Sequence, residues 1–250
     1  MPTTVAVTYI GGPTVLLEYG GLRIVTDPTF DAPRSYPDDH DKPLVKTTGP
    51  GVARADLGPI DLILLSHHEH EDNLDFEGLE LIATGIPTVS TMKAGSDLFG
   101  GSVIGLDAWE SHEVGDVTIT AVPALHGPPG AEKLLGPVIG FVLQAPGEAS
   151  VYVSGDNASL SLVEQIASAF GHIDIALLFA GAARTARIDA PLTLTSRDAV
   201  LAAGILGANR VVGLHTEDWE HFSENRAQLE EAFAGSTALI DTPRGVRVEL

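Results

Sequence analysis

Hydrophobic and polar positions divide this chain into short β-branched runs, continuous apolar runs and a few stretches with helical spacing. Residues 5–10, 14–19 and 22–27 are rich in Val, Ile, Leu, Thr and Tyr and are separated by Gly-containing turns, so they predict three strands. Residues 28–58 hold many Pro, Asp, Gly and Lys with no clear period and predict a long loop of the kind that shapes specificity. The run 61–66 (DLILLS) is continuously apolar, as suits a strand buried on both faces. A histidine-rich turn follows it, then a helix over 75–84. Strands are expected at 87–90 and 102–106 around a helix at 92–99, and again at 116–122, 138–144 and 150–154. Residues 160–170 have apolar positions at helical spacing, with Ser159 or Ser161 to cap them. The remainder predicts a buried strand at 173–179 and a helix at 196–206 capped by Thr195 or Ser196. After these come a strand at 210–214, a helix at 224–233, and closing strands at 238–240 and 246–250.

This order gives two strand-rich blocks with helices interspersed, an α/β class. No repeat of 20–50 residues and no Pro/Ser linker divides the chain, so a single domain over 1–250 is expected. Its 250 residues are 44% hydrophobic and 19% charged, enough to bury a core. The absence of cysteine excludes a disulfide scaffold, a thiolate zinc site, an iron–sulfur cluster and a cysteine nucleophile. Fourteen basic against 34 acidic residues give a net charge of −20. Such a charge argues against phosphate backbones and anionic membrane surfaces as partners. No apolar run reaches the roughly 20 residues of a membrane span, so no membrane insertion is expected. The first residues show no basic segment leading into an apolar one, which makes the cytoplasm the expected location. A small-molecule substrate fits this profile, and a homo-oligomer stays open.

The chemistry lies in the histidines. Nine occur, at 40, 67, 68, 70, 112, 126, 172, 215 and 221, and three of them crowd into Ser66-His67-His68-Glu69-His70-Glu71-Asp72-Asn73 directly after a buried strand. In an extended segment alternate side chains share a face, so His68 and His70 can hold one cation while Asp72 enters from the following turn. Three further strands each run into one polar residue: His126, Asp156 and His215. Taken singly these read equally well as a turn residue, a helix cap and a packed histidine. Together with the cluster they form a ligand series of imidazole and carboxylate, suited to Zn²⁺, with Mn²⁺ or Fe²⁺ as alternatives.

The series resembles the metallo-β-lactamase superfamily, whose pattern is His-x-His-x-Asp-His after a strand, then His, Asp and His at later strand ends. Ile10-Gly11-Gly12-Pro13-Thr14, Thr26-Asp27-Pro28 and the stretch from His215 to Phe222 resemble the branch holding ascorbate-phosphate lactonases and N-acyl-phosphatidylethanolamine phospholipases. The resemblance implies an αββα sandwich with the site at one edge. It implies His68, His70 and His126 around a first metal, Asp72 and His215 around a second, and Asp156 bridging them, with one or two zinc ions per chain. It also implies that Asp72 orients an activated hydroxide. Two departures stand out. Asn73 replaces the motif's last histidine, and His67 adds one residue between Ser66 and the His-x-His pair. A one-residue bulge would make His67 the ligand and turn His68 outward, whereas the spacing to Asp72 favours His68.

Around this core, Asp27 is expected to brace ligand imidazoles, with a turn role before Pro28 as its alternative. His221 is a candidate proton donor or substrate contact, or else a surface residue. Trp219 and Phe222 read as local core. Arg184 could take an anionic substrate group, though a structural ion pair is the favoured reading. His40, His112 and His172 read as surface or turn residues. The expected function is a metal-dependent hydrolase of a small ester, lactone or phosphoester. The alternatives are a metal-binding protein without hydrolytic activity and an iron redox enzyme on the same scaffold.

Overall fold

The computed structural model describes residues 4–37, 42–98, 102–236 and 238–250. Its first half runs β1 (Ala6–Gly11), β2 (Thr14–Tyr19), β3 (Leu22–Thr26), β4 (Arg34–Tyr36), β5 (Leu44–Lys46), β6 (Leu62–Leu64), α1 (Phe76–Ala83), β7 (Thr88–Thr91), α2 (Met92–Asp97) and β8 (Val103–Leu106). Then come β9 (Ser111–Val114), β10 (Val117–Pro123), α3 (Glu132–Leu135), β11 (Ile139–Gln144), β12 (Val151–Val153) and α4 (Leu160–Phe170). The chain ends with β13 (Ile175–Phe179), α5 (Ser196–Leu206), β14 (Arg210–Leu214), α6 (Arg226–Ala232) and β15 (Arg247–Glu249).

Two sheets form. One has the order β15-β1-β2-β3-β6-β7-β8, the other β14-β13-β12-β11-β10-β9. In the first, β3, β6, β7 and β8 are parallel; in the second, β12, β13 and β14 are parallel. Alternation along each strand explains how they stack. Leu62 and Leu64 enter the same core cluster as Val151, Val153, Ile175, Leu177 and Phe179 from the other sheet. Their neighbours Ile63 and Leu65 face the outer layer with Leu81 and Ile82 of α1. Tyr152, Ala176 and Leu178 face the opposite outer layer with Val163 and Ile166 of α4 and Ala199, Ala202 and Leu206 of α5. A period of two on strands apolar at every position yields two covered faces, hence helix, sheet, sheet, helix. Each such side chain fully buried contributes about 1.5–3 kcal/mol.

Several expectations are corrected here. The stretch 28–58 carries the β4–β5 ribbon and a 3-10 turn at Arg54–Asp56. Their short lengths left no periodic trace in the sequence. Strand β9 and helix α3 were also missed, being four residues each. Residues 238–240 make only an isolated bridge, Leu239 to Val211. The helix expected over 92–99 ends at Asp97, with Leu98 extended and Phe99 outside the described residues. The caps resolve to Ser159 and Thr195, whose hydroxyls accept the Leu162 and Asp198 N–H groups. His40 lies outside the described residues. His172 is exposed, while His112 is half-buried within β9.

Candidate metal centre

Parallel strands leave their carboxyl ends side by side, and the segments leaving β3, β6, β12 and β14 carry Asp27, His67–Asn73, Asp156 and His215, with His126 beyond β10. Backbone contacts draw the two sheets together at this edge. The Ile139 N–H donates to the Ser66 carbonyl at 3.1 Å, and the His215 N–H to the Gly12 carbonyl at 2.8 Å. Gly155 has φ +55°, and a Cβ there would lie 2.6 Å from the Ile139 carbonyl oxygen and 2.8 Å from Ser66 Cβ, so only glycine lets Asp156 come in this close. His215 itself has φ +56° and Asp218 φ +77°. These unfavourable conformations are held by the Asp218 carboxylate, which accepts from the Gly12 N–H at 2.8 Å and from Arg244 Nη2 at 2.6 Å.

Two clusters result. Ligand atoms of His67, His70 and His126 lie within 4.8 Å of one another, and so do those of Asp72, Asp156 and His215. His67 Nε2 is 2.9 Å from His70 Nδ1, and His126 Nε2 is 3.6 Å from Asp156 Oδ2, which joins the clusters. The expected choice of His68 over His67 is reversed in position. The segment after β6 bends and turns rather than extending, with the Asn73 and Leu74 N–H groups both donating to the His70 carbonyl. In a coiled segment residues three apart share a side, so His67 pairs with His70. His68 points away, with Nδ1 3.3 Å from Glu69 and Nε2 3.2 Å from Asp97 of α2. His70, Asp72, His126, Asp156 and His215 stand together as anticipated.

The supporting contacts orient these groups. His126 Nδ1 donates to the Leu192 carbonyl at 2.9 Å, which leaves the Nε2 lone pair facing inward. Ser66 Oγ sits 3.0 Å from His67 Nδ1. Asp27, φ +28°, accepts the Ser66 N–H at 2.6 Å, so it braces the backbone of the histidine segment rather than an imidazole. Asn73 turns its amide nitrogen toward Asp156 Oδ1 at 3.5 Å, acting as a donor to the carboxylate. His221 Nε2 lies 3.0 Å from Asp72 Oδ2. Trp219 is buried against Tyr36, and Phe222 packs on His215 with ring centres 4.6 Å apart. Sequence reading missed Leu192 and Ser66 as orienting groups; a carbonyl supplied by a distant loop leaves no signal in residue type.

Burial governs the protonation of the site. Desolvation, with the neighbouring histidines, holds His67 well below the usual imidazole range and lowers His126 to about 3. His215 is lowered by burial too. Desolvation and then the Asp72 charge push Asp156 well above the usual carboxylate range, and burial raises Asp27 to about 7. Burial would raise Asp72 as well, but the charges and hydrogen bonds of His221 and His215 outweigh it and hold it low. The imidazoles are therefore neutral and ligand-competent. Among the described residues, buried Asp156 Oδ2 and His215 Nε2 have no aligned hydrogen-bond partner, although His215 Nε2 is 3.2 Å from Asp72 Oδ2 and 3.5 Å from Asp156 Oδ1. Buried polar atoms rarely go unpaired. Nitrogen and oxygen atoms crowded together without hydrogen bonds are what a divalent cation would satisfy, and the thiolate-free set suits Zn²⁺, Mn²⁺ or Fe²⁺. A cavity of about 630 Å³ opens above, bordered by His70, Asp72, His126 and His221.

Comparison with known proteins agrees with this geometry. A metal-dependent hydrolase of Pyrococcus furiosus is 24% identical over 98% of this chain and 100% of its own. The crystal structure of a possible metal-dependent hydrolase from Veillonella parvula superposes with a TM-score of 0.86 at 17% identity, covering 99% of this chain and 100% of that one. An isothiocyanate hydrolase from Delia radicum gut bacteria superposes with a TM-score of 0.85 at 21% identity, covering 98% and 99%. The family profile described as a beta-lactamase superfamily domain matches residues 22–216, a span that holds both clusters. With a sandwich of two sheets, the site at their shared edge and that match over most of its length, the chain belongs to the metallo-β-lactamase superfamily.

Proposed function

We propose that this protein is a metal-dependent hydrolase of a small ester, lactone or phosphoester. The observation that carries the reading is the meeting of the His67/His70/His126 and Asp72/Asp156/His215 clusters, with Asp156 Oδ2 and His215 Nε2 unpaired, beside a substrate-sized cavity. His67, His70 and His126 would hold one cation and Asp72 and His215 a second, with Asp156 between them. When bound, the metal supplies Lewis acidity and acidifies water into the neutral range. The chain's own groups do the rest. Leu192 keeps the His126 proton on Nδ1. The His221 Nε2 contact with Asp72 holds the His221 ring beside the cavity, where it can touch the substrate. Asn73 donates to Asp156 and fixes its carboxylate plane. Leu44, Val45, Leu135 and Leu192 line the cavity and exclude water.

The test uses bis(4-nitrophenyl) phosphate, a γ-lactone and benzyl isothiocyanate as probes. A chelator is expected to abolish turnover of a phosphodiester or lactone, and added Zn²⁺ or Mn²⁺ to restore it. Activity indifferent to both treatments would overturn the reading. The resemblance of residues 10–14, 26–28 and 215–222 to lactonases and phospholipases supports the choice of lactone and phosphoester probes.

A further inference from the structure

We propose that the substrate carries an anionic group, a carboxylate or a phosphate, on an apolar stem, and that Arg184 and Arg187 bind it. The proposal rests on the reading of this cavity as a hydrolase's substrate site. Both arginines border the cavity, as does Lys42 from the segment before β5. Apolar Leu44, Val45, Leu135 and Leu192 line the same cavity. The acidic side chains bordering it are Asp72, engaged by His215 and His221, and exposed Glu220.

Among the described residues, several of the chain's 14 basic side chains, though not Lys133, Arg197 or Arg210, have a carboxylate within reach. Arg23, Arg34, Lys46, Arg54 and Arg244 each have one within 4.0 Å. Among the described residues, no carboxylate comes that near to Arg184 or Arg187. Their backbone is nevertheless held in place. The Arg184 N–H donates to the His221 carbonyl at 3.0 Å, and the Arg187 N–H to Thr185 Oγ1 at 3.2 Å. Thr185 pairs with Ile188 across the turn, and the Leu192 N–H returns to the Ala183 carbonyl at 2.9 Å. The turn is thus part of the loop whose Leu192 carbonyl orients His126. Arg184 Nε reaches Ser223 Oγ at 3.4 Å, and its two terminal nitrogens suit a paired grip on an anion.

The placement also separates the two ends of a substrate. The Asp72 carboxylate repels an anion from the ligand clusters, so the charged end seats at the arginines and the scissile bond at the clusters. A volume of about 630 Å³ suits one small molecule. A net charge of −20 repels small anions at long range, so selection for them requires local cations.

The test is calorimetric titration of the chelator-treated protein with three non-hydrolysable probes: 4-phenylbutyrate, 3-phenylpropylphosphonate and neutral 4-phenylbutyramide. One anion is expected to bind about 10-fold to 100-fold tighter than the amide. Which anion wins distinguishes a carboxylate from a phosphate substrate. Arg184→Gln with Arg187→Gln is expected to erase the preference, and the corresponding double Lys variant to retain part of it. Should the double Gln variant fail to fold, Arg187→Gln alone, on an exposed turn, is expected to reduce the preference. Equal binding of acid and amide, binding of neither, or a preference that survives the Gln variants would overturn the proposal. An anion preference without any metal-dependent hydrolysis would overturn the hydrolase reading alone, and hydrolysis without the preference this proposal alone.

Discussion

The two ligand clusters share Asp156 as a neighbour, but their chemistry differs. His67, His70 and His126 are three imidazoles, and burial keeps His67 and His126 neutral at pH 7. That half presents imidazole lone pairs. The other half sets Asp72 and Asp156 around His215. There burial, and then the Asp72 charge, shifts Asp156 toward its protonated form. The first half can accept a cation with no change in protonation, whereas the second must lose a proton to do so. Metal affinity at the second half should therefore climb with pH, by up to about tenfold per unit for each proton released, while the first half changes little near neutrality. Metal stoichiometry measured from mildly acid to mildly alkaline pH would show a second equivalent appearing only toward the alkaline end. Two equivalents of equal affinity across the range would break the contrast.

Mutations can sharpen it. Asp156→Asn keeps the shape and removes the charge between the clusters. Turnover is expected to fall by about 100-fold or more, beyond what loss of an outer contact costs, while the melting temperature of the chelator-treated protein stays close to the parent's, because burial already shifts Asp156 toward its neutral form. A variant clearly less stable than the parent under chelator would refute that shift. His67→Ala is expected to reduce metal affinity by a similar factor, about 100-fold or more, whereas His68→Ala should stay within about threefold, because its ring meets Glu69 and Asp97 rather than the clusters. Equal losses, read by competition with a chromogenic chelator, would return His68 to the site. Asn73→Leu removes a donor to Asp156 and should weaken metal binding by about 10-fold.

The smallest expected effect is on stability against pH in the chelator-treated protein. His126 titrates near 6.5 unfolded and at about 3 folded, so its contribution is present above about 6.5 and is lost as pH falls toward 3. Asp27 runs the other way: raised to about 7 from an unfolded value near 3.9, it stabilises at low pH and loses that contribution as pH rises through 7. Neither group changes stability by more than about 1.4 kcal/mol per pH unit. Melting curves should fall away on both sides of a mildly acid to neutral optimum, and bound metal should flatten the alkaline side. A melting temperature rising steadily through pH 8 would contradict the burial of Asp27.

Much of this was legible from residue type. Continuous apolar runs at 61–66 and 173–179 could only be strands covered on both faces, and they are. His70 and Asp72 could be singled out by the crowding of histidines and acids after a buried strand, and His126, Asp156 and His215 because each stands where an apolar strand ends. The β4–β5 ribbon was illegible because three-residue strands have no period to detect. Likewise Arg187, three residues beyond Arg184, had no feature marking it as a neighbour of the cavity.

The order of strands, the excess of acid and the spacing of histidines and aspartates followed from the amino acids alone, since alternation and side-chain chemistry are local properties. Which of two adjacent histidines turns inward did not. That depends on the path of the backbone after β6, and the path is set by partners far away in sequence: Asp27 gripping the Ser66 N–H, Ile139 donating to the Ser66 carbonyl, and Gly155 admitting its neighbour. Nor could sequence decide which groups stand beside Arg184, because pairing is a matter of distance, and only the packed chain sets distances.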